Sequence, residues 1–168
     1  MATEIIGAGS ETTRNLIGSG ILALLRNPDE LSQLRADPGL IRSGVEEILR
    51  YEAPVQTAVP RFVLHDVELE GVALPEGAMI GAVIGAANRD PKRFEGPDRL
   101  DLDRPDNQPL TFAPGIHHCL GAPLARMEAD VALSTLVRRA PRLALASNVV
   151  TYKENVILRG MESMSVSL

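Results

Sequence analysis

Apolar residues recur at broadly helical spacing from the start of the chain: Ile5, Ile6, Leu16, Ile17, Ile21, Leu24 and Leu25. Gly7, Gly9, Gly18 and Gly20 interrupt them, and each glycine costs a helix up to about 1 kcal/mol against alanine. Such a helix is stable only when packed inside something. Thr3 can cap it, although the opening reads more like the middle of a longer helix. Asn27-Pro28-Asp29-Glu30 then predicts a helix start, with Asn27 as cap, Pro28 in the first turn and Glu30 closing a capping box. That helix extends to about Ala36. Asp37-Pro38-Gly39 breaks it, and a third helix is expected over residues 40–52, stopping before Pro54.

The pattern then changes period. Residues 55–84 read as strands, with alternation clearest from Val67 through Glu70 and turns at Gly71 and Pro75-Glu76-Gly77. Residues 88–109 are rich in Asp, Arg and Pro and show little periodicity, as an ordered loop or a solvated linker would. A last long helix is expected over residues 123–139, with Leu124, Met127, Val131, Leu133, Leu136 and Val137 as its apolar positions. Short strands follow to the end. The elements predict one mainly α domain with small β-sheets, an α+β class.

Composition narrows the function classes. Apolar residues make up 45% and charged residues 23% of the 168, which places the chain among globular rather than disordered proteins. A net charge of −5 argues against a nucleic-acid partner. The single cysteine precludes a disulfide within the chain and makes a cytoplasmic location the default. The uncharged run over residues 77–88 is too short for a membrane span, and no basic-then-apolar leader pattern opens the sequence.

The chemistry concentrates in Phe112-Ala113-Pro114-Gly115-Ile116-His117-His118-Cys119-Leu120-Gly121. Cys119 lies just before the last long helix, where free N–H groups and partial positive charge favour a thiolate able to ligate a metal. Gly115 and Gly121 let the backbone approach a flat group closely. A lone cysteine is more often a buried packing residue. Tetrahedral zinc is poorly supported, since only His65, His117 and His118 stand beside that cysteine as soft donors.

Taken whole, the motif resembles the haem-binding loop of the cytochrome P450 family. The resemblance implies that Cys119 is the sulfur ligand to the iron of haem b, that His117 contacts a propionate, and that Phe112 shields the sulfur. Gly115 and Gly121 belong to the same cofactor-binding set. Ala113 stands where many members carry glycine.

Glu47 and Arg50, three apart on the third helix, share a face and can pair. Ile41, Val45, Ile48 and Leu49 form the opposite, apolar face, so periodicity alone predicts a solvated ion pair. Beside the cysteine loop, the pair resembles the family's E-x-x-R motif. That likeness implies burial and a third member from the irregular segment, Arg99 of Pro97-Asp98-Arg99-Leu100. The implied role is structural, a charge network anchoring the loop beneath the haem.

Ala8-Gly9-Ser10-Glu11-Thr12-Thr13 also matches a family motif, on the helix that crosses the haem. The plain reading is a hydroxyl bonding back to the preceding turn and bending the helix. The resemblance implies that Glu11 and Thr12 relay protons to dioxygen and that Gly9 leaves room for oxygen and substrate. Arg61 falls where the family binds a propionate, although a surface arginine fits as well. Residues 55–59 and 156–158 fall where it lines the substrate pocket.

The resemblance runs through all 168 residues, in the family's order, as a single partial domain from which the upstream part of the P450 fold is absent. It implies a haem-thiolate monooxygenase acting on a small organic substrate and dioxygen. Electrons would come from NAD(P)H through a ferredoxin reductase and a ferredoxin. The alternatives are a non-catalytic haem-binding fragment or sensor, and an interaction domain in which Cys119 is merely packed.

Overall fold

The computed structural model describes residues 2–168, with side chains from Ile6 onward; Thr3 as a cap and Ile5 as an apolar position lie outside the described side chains. Five α-helices carry the architecture: α1 (Ala2–Arg26), α2 (Pro28–Ala36), α3 (Ile41–Glu52), the short α4 (Ile84–Ala87) and α5 (Ala122–Arg139). Helices α1, α3 and α5 pack on one another, with α2 across one end. Their shared core is aliphatic: Leu16, Ala23 and Leu24 of α1, Val45, Ile48 and Leu49 of α3, and Ala129 and Leu133 of α5. Removing such a side chain costs about 2–5 kcal/mol.

The packing explains one of the helix-breaking glycines. A Cβ at Gly20 would sit 3.1 Å from Ile48 Cγ2 and 3.4 Å from Leu133 Cδ1, so glycine lets α1 approach both other helices closely. At Gly7 and Gly9 nothing lies within 4 Å, and the start of α1 borders open space.

Eight short strands form four separate antiparallel pairs among the described residues: β1 (Arg61–Phe62) with β4 (Met79–Ile80), β2 (Val67–Leu69) with β3 (Val72–Leu74), β5 (Ala144–Leu145) with β8 (Val166–Ser167), and β6 (Thr151–Tyr152) with β7 (Met161–Ser163). Glu70 and Gly71, both at positive φ (48° and 79°), make the two-residue turn of the β2–β3 hairpin. The alternation of residues 67–70 predicts one buried face, yet β2 is exposed throughout because nothing packs on the hairpin.

Two other expectations are corrected. Asn27 does not cap α2 with its side chain. Its Nδ2 donates to the Ala23 carbonyl at 2.8 Å and its backbone N–H also turns back to α1, so it closes the preceding helix instead. Glu30, freed from a capping box, accepts from Leu102 N–H at 3.0 Å and ties α2 to the irregular segment. On α5, Leu133 is core as expected, but Leu124, Met127 and Val131 are exposed. This helix carries apolar residues around most of its circumference, and α1 and α3 cover one side of it.

Candidate haem-ligand site

The site is built on α3. Glu47 and Arg50 are wholly buried, contrary to the solvated pair that helix periodicity predicts. Their polar face is covered by the irregular segment over residues 88–109, whose backbone and side chains supply the partners that water would have supplied. Arg50 donates to both Glu47 oxygens at 2.7 and 2.8 Å and to the carbonyls of Asn88, Pro97 and Arg99. Glu47 also accepts from the Asp101 N–H and the Asn107 amide, each at 3.0 Å.

The third charged member is Arg104, not Arg99. Arg104 Nε lies 3.1 Å from each Glu47 oxygen. The Arg99 guanidinium points outward to Asp101 at 2.6 Å and is 73% exposed, and only its carbonyl joins the network. A turn closed by the Arg104 N–H on the Asp101 carbonyl at 3.1 Å brings Arg104 back onto Glu47, where its guanidinium also donates to the carbonyls of Glu95, Gly96 and Arg99.

The network reaches the cysteine loop through two residues that sequence reasoning passed over. Buried Asn88 donates to Thr111 Oγ1 at 3.1 Å and accepts from Leu110 N–H at 2.8 Å, while Thr111 donates to the Leu49 carbonyl at 2.7 Å. These bonds fix the 3₁₀ turn Leu110–Phe112 against α3. From there the chain passes Ala113 and Pro114 into a second 3₁₀ turn, Gly115–His117, and on to Cys119. The Phe112 carbonyl accepts the Cys119 N–H at 2.9 Å, closing the loop. Gly121 stands at the N-cap of α5, and the Cys119 thiol is exposed at that helix mouth.

Backbone strain accompanies this shape. Ala113 adopts φ 53° and ψ 150°, a region that is essentially glycine-only. Ala113→Gly should therefore raise stability by about 1 kcal/mol, the relieved strain of about 1–3 kcal/mol exceeding the roughly 0.5–1 kcal/mol of added chain freedom. Urea unfolding midpoints check this. At Gly115, φ is +71° and a Cβ would meet nothing, so its glycine is required by conformation and leaves open space.

Among the described residues no group of three His, Cys, Asp or Glu side chains is placed to hold a metal ion. A metal at Cys119 would have at most two such protein donors and must bring its remaining ligands with it, as an iron macrocycle does. Ile116 and Leu120, which flank the thiol in sequence, are almost fully exposed apolar side chains. The donor set fits haem. His117 is exposed on the same loop, while Arg61 is exposed on β1 with Nη1 donating to the Val59 carbonyl at 2.7 Å.

The expected lining segments meet. Val55 bridges Leu158, Gln56 N–H donates to the Ile157 carbonyl at 2.7 Å, and Thr57 Oγ1 donates to the Val156 carbonyl at 3.1 Å. On α1, Thr12 Oγ1 donates to the Ala8 carbonyl one turn back. Glu11 pairs with Lys153 at 2.9 Å and Arg14 at 3.5 Å, and the hydrogen bond and charge of Lys153 hold its carboxyl below the ordinary carboxylate range. A depressed carboxyl stabilises the fold at neutral pH, and that contribution is lost as the pH falls through its folded-state value. The difference in melting temperature between the protein and Lys153→Met should accordingly vanish in acid.

A helical core thus presents one exposed thiol at a helix mouth, on a loop tied to a buried Glu–Arg–Arg network. The family model described as Cytochrome P450 matches residues 39–140, and the chain belongs to the cytochrome P450 family. It is 45% identical over 166 residues to the polyketide biosynthesis cytochrome P450 PksS of Bacillus subtilis, covering 98% of this chain and 41% of that protein. It is 46% identical over 170 residues to the vitamin D(3) 25-hydroxylase of Pseudonocardia autotrophica, covering all of this chain and 42% of the relative. The tirandamycin C-bound structure of the P450 monooxygenase TamI superposes with a TM-score of 0.96 at 40% identity, over 99% of this chain and 42% of that one. The chain thus spans about two fifths of the length of the relatives it matches, and its fold is the C-terminal portion of theirs. No described helix is long and apolar enough to cross a membrane.

Proposed function

We propose that the chain is the haem-holding part of a monooxygenase, a single partial P450 domain that inserts one atom of dioxygen into a small organic substrate. The observation that carries this is the exposed Cys119 thiol at the mouth of α5, on a loop held by the Glu47–Arg50–Arg104 network. Haem b, when bound, supplies the redox chemistry that splits dioxygen. Cys119 would hold the iron by its sulfur, Phe112 would shield that sulfur, and Gly115 and Gly121 would leave the loop free to lie close to the group. His117 and Arg61 would bind its carboxylates.

On α1, Thr12 and Glu11 would hold and pass protons into the open space beside Gly9, the proton supply that a monooxygenase needs. Thr12 is already bonded to its own helix turn, and Glu11 to Lys153, so each must exchange a partner to deliver a proton. Residues 55–59 and 156–158 form one wall of an apolar substrate pocket. The names of the relatives, which include a polyketide pathway enzyme and a vitamin D(3) hydroxylase, support a largely apolar organic substrate. A ferredoxin and its reductase would deliver electrons from NAD(P)H in the cytoplasm.

Haem titration of the protein in its natural gene context tests the reading. The reduced, carbon-monoxide-bound form should show the thiolate-type absorption band, and Thr12→Ala should then consume electrons without matching product. A protein that never shows the band ends the proposal. A haem-loaded protein unaffected by Thr12→Ala is a haem-binding protein without oxygen chemistry.

A further inference from the structure

The mechanism above makes no use of Arg126, yet its surroundings are built with care. Arg126 lies in the second turn of α5. Its guanidinium forms a two-point pair with Glu46 of α3, Nε to Oε1 at 2.5 Å and Nη2 to Oε2 at 3.1 Å. The same guanidinium lies over the Phe112 ring, 4.5 Å from its centroid. Phe112 is the residue whose carbonyl receives the Cys119 N–H. A continuous chain of contacts therefore runs from α3 through α5 to the ligand loop, independent of the Glu47 network.

Each contact has a separate physical purpose. Two-point pairing fixes the plane of a guanidinium as a single hydrogen bond does not. A fixed plane over an aromatic face holds the ring in one orientation by cation–π attraction. Lysine can reproduce the charge but neither the paired geometry nor the stacking. The Glu46 hydrogen bond holds the Arg126 guanidinium above its ordinary range against the effect of burial, with the charge of Glu46 and, last, that of Cys119 adding to it. Arg126 is thus a permanent cation on the ring of Phe112, the residue whose carbonyl receives the Cys119 N–H.

We propose that Arg126 is a positioning residue for the Cys119 ligand: pinned by Glu46, it clamps Phe112 so that the loop holds the sulfur in place, and it sets a fixed positive charge on the Phe112 ring of that loop. This rests on the haem reading above for its redox consequence, but not for its effect on the loop. A cation on the ligand loop favours the more reduced, less positive centre. The charge tunes the iron's potential and the stacking tunes the loop's rigidity, so the two effects are separable.

The test uses two readouts on Arg126→Met, Arg126→Lys and Glu46→Gln. The first is hydrogen exchange of the Cys119 amide, which needs no haem. It should quicken about tenfold in Arg126→Met and Arg126→Lys, and less in Glu46→Gln. The second is the reduction potential of the haem-loaded protein. Arg126→Met should lower the ratio of reduced to oxidised protein at fixed potential about threefold to tenfold, a tenfold change corresponding to about 59 mV for one electron. Arg126→Lys should keep most of the potential while losing the amide protection. Unchanged exchange in Arg126→Met overturns the positioning role, and an unchanged potential overturns the electrostatic one. Should Arg126→Met fail to fold, amide exchange in Arg126→Lys decides the positioning role, and Glu46→Gln decides the electrostatic one: removing the anion that offsets Arg126 should raise the potential, and an unchanged potential overturns that role. Failure of the haem reading appears separately, as an unmutated protein without sulfur-bound haem, and the exchange arm then still decides whether Arg126 holds the loop.

Discussion

Exchanging Glu47 for leucine should destabilise the protein by about 3–5 kcal/mol, because Arg50 and Arg104 would remain charged and buried without their carboxylate. For a chain of this size the melting temperature should fall by roughly 10 °C or more. Calorimetry measures it, and a loss under 1 kcal/mol would show that water reaches the network. Replacing all three members with apolar residues of similar volume should cost far less than the single change, since no lone charge is then stranded. The effect should extend beyond stability. Arg50 holds the Asn88 carbonyl, and Asn88 with Thr111 holds the turn preceding the cysteine loop. Glu47→Leu should therefore also quicken hydrogen exchange of the Cys119 amide, which the Phe112 carbonyl holds, at temperatures where the fold persists.

Cys119→Ser should do the reverse. The thiol is exposed and packs against little, so stability should change by no more than about 0.5 kcal/mol. The thiolate-type band of the reduced, carbon-monoxide-bound protein should vanish entirely, since a serine hydroxyl is a far poorer anionic donor than a thiol at neutral pH. Retention of the band in the serine variant would place the ligand elsewhere. Together the two substitutions separate the anchor from the ligand: one loses the fold and keeps the sulfur, the other loses the sulfur and keeps the fold.

The cysteine loop was legible through its motif as a whole, which resembles the family's; taken alone, a single cysteine reads more plainly as a packing residue. The structure gives Gly115 a positive φ and stands Cys119 just before α5. The network was only half legible. Residues three apart on one helix predict a Glu47–Arg50 pair, but helical periodicity treats polar faces as wet, and this one is dry because chain from residues 88–109 folds over it. Motif matching selected Arg99, whereas the turn from Asp101 to Arg104, which no periodicity announces, sets Arg104 on Glu47. Asn27 reads as the cap of the helix that follows it, but here it serves the helix before. Leu124, Met127 and Val131 satisfy a helical pattern equally well whether a neighbour covers them or not. Arg126 and Glu46 left no mark at all, since a surface ion pair between distant helices has no spacing rule.

The distance between Glu47 and Arg104 along the chain, 57 residues, has a temporal meaning during synthesis. At about 5–20 residues per second, some 3 to 11 seconds separate their exit from the ribosome. Until Asn88 and the chain beyond it emerge, Glu47 and Arg50 have only each other, on a helix whose outer face is still wet. The nascent chain must therefore tolerate an unfinished charge cluster, and drying that cluster is a late event that precedes the emergence of Cys119 by only a short stretch of translation.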